Sequence, residues 1–319
     1  EGNYNNHIGV PLTILSIEPE HEVAVVEMGM NHAGEIEPLC EIAQPNFGVI
    51  TNIGTAHIEN LGSRDAIADE KGALPRSLPS DGMFFLPAGC DYYHYYESRT
   101  KARVVGVGNG RGVIRAEDLR HSEEGSTVFT LVIENQSVGD VKLPVIGRHM
   151  VKNALLAVGC GWALGLDTEQ IRRGLAQVKL TDGRLCAYRS HGITVVDDTY
   201  NANPESMAAA FETLAEMPVN NGAQRHVVLG PMGELGAYAE AAHRELGRLA
   251  EELGLTVTAV GDGAELIASG AESAVYFTDP DEAAKALPER IASGDMVLFK
   301  ASRSARMEQV MNRAFPKEN

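Results

Sequence analysis

From Gly192 onward, short apolar runs alternate with helical periodicities, and this alternation limits the fold more than any other feature of the chain. The runs are Ile193 to Val196, His226 to Leu229, Thr256 to Val260, Val275 to Phe277 and Met296 to Phe299. Each is short and reads as a strand. Between them Leu246, Leu249, Ala250 and Leu253 share one helical face, and so do Met307, Val310, Met311 and Ala314. Such alternation predicts a parallel sheet with right-handed crossovers. Ligands of open α/β sheets bind beyond the carboxyl ends of the strands. The residues that follow each run are therefore the ones to inspect.

The clearest of these places is DDTYNANPESMAAAFETLA, Asp197 to Ala215. A strand ends there on Asp197 and Asp198, and a polar turn runs from Thr199 to Asn203. Asn203 is a good N-cap and Pro204 suits the first helical position. Two carboxylates and two amides, Asn201 and Asn203, gathered at a strand end make a candidate site. The plainer alternative is that Asn203 only caps and one Asp only forms a turn. LGPMGELG, Leu229 to Gly236, and FKASRSARMEQV, Phe299 to Val310, also follow strands. Lys300, Ser302 and Arg303 ahead of a helix suit an anion, although Arg303 is equally a solvated first-turn residue.

In the first half, EVAVVEM (Glu22 to Met28) and Phe47 to Ile50 read as two buried strands. Glu27 closes one, and Asn52, Gly54 and His57 lie just past the other. Ser63 to Leu74 reads as a helix carrying Lys71, and Met83 to Leu86 and Val104 to Val107 as further strands. From Arg111 to Val145, short alternating runs broken by Gly, Ser and Asn predict an antiparallel meander. His149 to Leu164 reads as a mostly buried helix and Thr168 to Val178 as a shorter one. The pattern changes at LTDGRL, around Gly183, which predicts two domains, 1–183 and 184–319. YYHYY, Tyr92 to Tyr96, reads as a packed surface turn and is assigned no function.

An acid and an imidazole at adjacent strand ends, Glu27 and His57, can hold a divalent metal. Lys71 as an ammonium repels one. A buried lysine that loses its charge and captures carbon dioxide becomes a carbamate, an anionic oxygen ligand suited to Mg²⁺. The plainer readings are a turn acid, a core histidine and a surface cation. Asn153, one helical turn from His149, interrupts an apolar helix. A buried amide there wants partners, from a nucleobase edge or from a neighbouring loop. Arg184, at the domain boundary, suits a phosphate, or is an ordinary surface arginine.

The net charge of -17 argues against broad nucleic-acid or anionic-membrane binding. Four cysteines without C-x-x-C spacing suit a reducing compartment. With neither a membrane-spanning run nor a signal peptide visible, the sequence reads as cytoplasmic. It contains no G-x-x-x-x-G-K-[ST] phosphate cradle.

Taken in order, EGNYNNHIGVPLT, VVEMGMNHAGEI, ITNIGTAHIENLGS, EKGAL, GRHMVKNALLA, DGRL, DDTYNANPESM, GPMGELG and KASRSARMEQV resemble the Mur ligases. These are the ATP-dependent, amide-forming enzymes of peptidoglycan synthesis, and the resemblance runs over almost the whole chain. It implies an α/β protein: a Mur-ligase central ATPase domain, mostly parallel with an antiparallel meander, and a C-terminal Rossmann-like domain. It implies ATP and Mg²⁺ as cofactors, and UDP-N-acetylmuramoyl-tripeptide and D-alanyl-D-alanine as substrates, for a protein expected to be a monomer. Glu27, His57 and Lys71 would match the magnesium site, with His57 and Lys71 serving catalysis and Lys71 carbamylated. Asn153 would match an adenine contact, Arg184 a phosphate contact and Asp198 a ribose-side contact. Asn201, Asn203, Lys300, Ser302 and Arg303 would lie near the peptide substrate or the cleft.

Some stretches depart from the family pattern. Met150 stands where Asn is usual, Pro231 where Asp is usual, and LPAGC (Leu86 to Cys90) where N-x-D is usual. KGAL and KASR replace the commoner KGE and KGSR. The family's UDP-binding domain and its G-x-x-G-K-T loop, which precede the EGNYNN segment, are not among these 319 residues. The expectation is an N-terminally truncated central domain plus a complete C-terminal domain, inactive as a ligase by itself. Two alternatives stand beside it: a Mur-type ligase adding a different amino acid or peptide, and a non-catalytic nucleotide- or peptide-binding module.

Overall fold

Two six-stranded sheets carry the chain in this computed structural model, which describes residues 4–121 and 126–318. They belong to two compact units. The first comprises the chain up to Arg120 together with Val128–Lys142 and Met150–Ala176.

Its strands lie side by side in chain order: β1 Phe47–Val49, β2 Met83–Pro87, β3 Arg103–Asn109, β4 Ile114–His121, β5 Thr127–Ile133 and β6 Gln136–Leu143. β1, β2 and β3 are parallel, Phe47 facing Met83 and Met83 facing Arg103, and β4 joins β3 in parallel with Val107 opposite Ile114. Phe84, Phe85 and Leu86 of β2 are fully buried, as a strand between two neighbours should be. β5 and β6 are joined by Glu134 and Asn135 at φ 49° and 68°. Two consecutive positive φ values make the tight turn whose twist suits an antiparallel hairpin, so the expected meander is built here.

The expected strand at Glu22 to Met28 does not form. The segment has no regular structure, and Val23 and Val25 are exposed, Val25 at 93%. An apolar run becomes a buried strand only with neighbours and a cover. Among the described residues the sheet ends at β1, so this run has no ladder to join. The helix expected over Ser63 to Leu74 is two, Arg64–Lys71 and Ala73–Ser77, meeting at Gly72. Ser63 caps the first, accepting from Ala66 N at 3.1 Å.

The tyrosine cluster is not merely a surface turn. It forms the helix Tyr93–Glu97, and its rings grip the helix that carries Lys71. Tyr96, fully buried, donates to Ala68 O at 2.9 Å, Tyr92 to Asp65 Oδ1 at 2.7 Å and Tyr95 to Asp69 Oδ1 at 2.6 Å. Tyr96 also meets Phe84 of β2 edge-on, 5.7 Å between ring centres. Burial pushes the Tyr96 phenol far above its ordinary range, so it serves as a neutral donor.

The second unit comprises the chain from Gln177 together with the short segments His121–Thr127 and Leu143–His149. Its strands are β7 Cys186–Ser190, β8 Ile193–Asp197, β9 Arg225–Leu229, β10 Thr256–Val260, β11 Val275–Phe277 and β12 Met296–Lys300, in the spatial order β11-β10-β9-β12-β8-β7. Every pairing is parallel except that of β7 with β8. The last strand in sequence, β12, is thus inserted between β8 and β9. One face packs Val195, Val228, Val297 and Phe299 against the helices Pro280–Arg290 and Met307–Ala314. The periodic face read from the sequence in Met307 to Ala314 is the one buried there.

Candidate functional site

In the second unit, β8, β12 and β9 end together, and the three stretches singled out from the sequence follow them. Asp197 belongs to β8, and its Oδ1 accepts from Thr199 Oγ1 at 2.7 Å and Thr199 N at 3.2 Å. It is a turn former, one of the plainer roles foreseen. Asp198 does something else. Its Oδ2 lies 2.6 Å from Lys300 Nζ and its Oδ1 accepts from Leu185 N at 3.3 Å. Lys300 also donates to Asn201 O at 2.9 Å. Both side chains are nearly enclosed, with 4% of Lys300's and 12% of Asp198's exposed. Burial pushes the Asp198 carboxyl above its ordinary value against the pull of Lys300 and Arg184. It pushes the Lys300 amine down against the pull of Asp198.

Arg184 is exposed and lies over the Tyr200 ring, 4.2 Å from its centre, a cation–π contact that favours this placement of the guanidinium. The DGRL turn is tied to the DTYN turn by Tyr200 N donating to Gly183 O at 3.0 Å. Gly183 has φ 74°, and a Cβ there would stand 3.1 Å from Tyr200 N, so the position needs glycine. Asn201 is exposed, and Asn203 caps the helix Pro204–Glu216 in a reciprocal box with Ser206. Ser302 is buried, its N donating to Pro231 O at 3.0 Å. Arg303 is exposed and reaches Glu308 at 3.4 Å.

One residue that no sequence motif singles out holds the GPMGELG loop. His243 is buried; its Nε2 accepts from Met232 N at 2.8 Å and its Nδ1 lies 2.6 Å from Ala239 O. A carbonyl can only accept, so Nδ1 carries the proton and Nε2 the lone pair. The ring is a neutral strut under the loop. It sits in the helix Ala239–Glu252, and nothing in the local pattern separates it from a surface histidine.

In the first unit, Lys71 is half-buried and donates to Asn52 O at 3.0 Å, which ties it to the loop after β1. His57 ends that loop with φ 64°, left-handed backbone that is uncommon outside glycine. Glu27 accepts from Asn5 Nδ2 at 2.9 Å. Asn153 lies exposed on the helix Arg148–Ala163. The expectation of a buried amide is corrected, since the 3.6-residue period turns this position outward. Glu70, beside Lys71, carries a role that its own segment does not disclose. Its carboxylate accepts from Gly34 N at 2.7 Å, Glu35 N at 2.9 Å and Ile36 N at 2.7 Å, capping the helix Ile36–Ala43 from 34 residues away in sequence. A depression of about 850 Å³ beside LPAGC is lined by Gly89, Tyr93, Arg111 and Asn135. None of the candidate site residues from the sequence lines it.

Left-handed backbone recurs in these loops, at His57, Leu185, Glu234 and Arg306. Elsewhere among the described non-glycine residues it marks a helix end, one strand position and hairpin turns. Strain of this kind needs surroundings that enforce it and concentrates at functional loops.

The Mur ligase middle domain pattern matches residues 1–161, and the Mur ligase glutamate ligase domain pattern matches 183–303. The UDP-N-acetylmuramoyl-tripeptide–D-alanyl-D-alanine ligase of Bacillus subtilis is 35% identical, over 97% of this chain and 68% of its own length. The enzyme of that name from Escherichia coli is 36% identical, over 97% and 69%. The crystal structure of MurF from Acinetobacter baumannii superposes with a TM-score of 0.92 at 35% identity, covering 98% of this chain and 69% of that one. MurF from Thermotoga maritima, in complex with ADP, gives 0.88 at 29% identity over 98% and 72%.

Proposed function

The chain belongs to the Mur ligase family, and on that premise we propose that it is an ATP-dependent ligase of peptidoglycan precursor synthesis, joining D-alanyl-D-alanine to UDP-N-acetylmuramoyl-tripeptide. One observation carries this reading: identity of 35% to 36% to two enzymes of that name, spread over 97% of the chain rather than confined to one motif. The reaction transfers the γ-phosphoryl group of ATP to the terminal carboxylate of the tripeptide. The dipeptide amine then attacks the acyl phosphate, and the tetrahedral intermediate expels phosphate. Such chemistry needs charge neutralisation and positioning more than covalent help from the protein.

In this reading Arg184, held over Tyr200, meets a phosphate, Asp198 accepts from the ribose hydroxyls and Asn153 meets the adenine. Asn201, Asn203, Ser302 and Arg303, with the Lys300 region, serve the peptide side. Glu27 and His57 offer a carboxylate oxygen and an imidazole nitrogen to Mg²⁺, an ion that prefers oxygen. Among the described residues no three His, Cys, Asp or Glu side chains converge on one metal position. A further anionic oxygen is needed, and a carbamate on Lys71 is suited to supply it. Bound Mg²⁺ would neutralise developing charge on the phosphate oxygens.

The proposal includes a cytoplasmic monomer divided at 1–183 and 184–319. No helix among the described residues is long and apolar enough to cross a membrane.

The test is phosphate release from ATP by the full-length protein. Release requiring both UDP-N-acetylmuramoyl-tripeptide and D-alanyl-D-alanine supports the proposal. Release with a different amino acid or peptide as acceptor moves it to another Mur ligase. Nucleotide binding without any turnover leaves only a binding module.

A further inference from the structure

We propose that Lys300 is a positioning residue rather than a substrate ligand: it is the buried counter-ion that keeps Asp198 in place, and it locks the Asp198–Asn203 turn to the end of β12. The proposal rests on the reading of Asp198 as a nucleotide contact and gives that contact its mechanical and electrostatic support.

The register of the sheet places the residue. β12 pairs in parallel with β8 on one side and β9 on the other, Phe299 facing Asp197 and Lys300 facing Leu229. Asp198 N then donates to Phe299 O and Gly230 N to Lys300 O, each at 3.0 Å. The Lys300 backbone thus anchors the loop after β9, while its side chain holds the turn after β8. Nζ takes Asp198 Oδ2 at 2.6 Å and Asn201 O at 2.9 Å. Two of the three ammonium protons are committed to that turn, and 4% of the side chain is exposed. A group so enclosed has almost no surface to offer a peptide, whereas the exposed Arg303 nearby has.

The charges point the same way. A carboxylate this buried needs a partner, and removing one member of such a pair strands the other. The other charged group acting on Asp198 is Arg184, exposed and resting on Tyr200; the neighbouring Asp197 has its Oδ1 taken by Thr199. Without Lys300, Asp198 keeps the Leu185 N–H at 3.3 Å and little else. Burial already favours its protonated form. A protonated carboxyl accepts ribose hydroxyls poorly.

The experiment follows the Asp198 side-chain carboxyl by carbon-13 NMR through a pH titration of the full-length protein. ADP affinity is measured by calorimetry across the same range, for wild type, Lys300→Met, Lys300→Arg, Asp198→Asn and the double variant Asp198→Asn/Lys300→Met. In Lys300→Met the Asp198 midpoint should rise by about one unit or more. ADP binding should weaken about tenfold for each pH unit below the raised Asp198 midpoint and recover as the pH is brought above it. Lys300→Arg should restore part of both. The double variant, with neither charge buried, should regain the thermal stability lost in Lys300→Met but not the ADP affinity. If Lys300→Met does not fold, recovery of folding in the double variant supports the pairing in its place, and failure to recover overturns it.

An unmoved Asp198 midpoint with weakened tripeptide or dipeptide binding would overturn the proposal and make Lys300 a substrate ligand. Normal ADP binding by Asp198→Asn would overturn the nucleotide role of Asp198 instead. The NMR midpoint then still decides whether Lys300 is its counter-ion.

Discussion

Lys71 donates to the Asn52 carbonyl at 3.0 Å, and its proposed role depends on what that amine becomes. A neutral amine can add carbon dioxide, and the carbamate is an anion that a divalent ion stabilises. Lys71→Ala in the full-length protein should abolish ligase turnover with no loss of folding, and acetate in solution should restore a measurable part of it. Full activity in that variant would reduce Lys71 to a helix-end cation. A second residue-scale prediction concerns Asp295, 7% exposed. Burial acts to raise its carboxyl, but hydrogen bonds from Gln224 N and Ala292 N, together with the His226 imidazole at 3.1 Å, outweigh it and hold the pKa below the ordinary value. A depressed folded-state pKa contributes stability above the unfolded value of about 3.9, and that contribution is lost as pH falls through the folded-state pKa. Urea unfolding should therefore show stability declining below about pH 5 in wild type. In Asp295→Asn that component of the decline should be missing, and the variant should be about 1–3 kcal/mol less stable at neutral pH. An identical acid profile in the two proteins would refute the assignment.

At the scale of elements, helix ends are held by residues that are doing different jobs. Glu70 accepts from Gly34 N just ahead of the helix Ile36–Ala43 and from Glu35 N and Ile36 N at its start, the latter being groups that a helix leaves without partners at its first turn. Glu70→Ala should cost about 1–2 kcal/mol, read as a fall in the denaturant midpoint, and should raise hydrogen exchange at residues 34–40 first. Uniform exchange across the unit would mean the cap is not local. Asn203 allows its two readings to be separated. Its Oδ1 accepts from Ser206 N at 2.8 Å, a bond that serine at 203 can replace. Asn203→Ser should stay within about 0.5 kcal/mol of wild type while Asn203→Ala loses about 1 kcal/mol. Loss of activity in Asn203→Ser at retained stability marks a substrate contact; full activity marks a cap alone.

At the scale of the molecule, each unit has its own sheet and its own buried residues. In the second, Phe299 and Phe315 meet edge-on at 6.1 Å within the core under the helices Pro280–Arg290 and Met307–Ala314. A core of that kind should fold without help from the first unit. Residues 184–319 expressed alone should unfold cooperatively and keep the Lys300–Asp198 pair, seen as a dispersed spectrum with an unshifted Asp198 carboxyl. A fluctuating compact state without fixed tertiary packing would argue against the proposed division.

Much of this architecture follows from local chemistry. The runs at Ile193, His226, Thr256 and Met296 became strands because burial on both faces leaves a continuous apolar run. Asn203 and Pro204 began a helix because cap and first-turn geometry involve only neighbours. The order of the strands, the insertion of β12 between β8 and β9, and the pairing of Lys300 with Asp198 from distant parts of the chain involve no neighbours at all. The same holds for Glu70 on the helix Ile36–Ala43, Tyr96 on Ala68 and His226 on Asp295. EVAVVEM marks the boundary from the other side. Its period and composition read as a strand, yet a strand exists only as one member of a ladder, and no neighbouring strand pairs with it among the described residues. Periodicity, caps and turn residues are properties of a segment and can be read from it. Register, counter-ions and strand partners are properties of two segments at once, and they were decided where the chain brought those segments together.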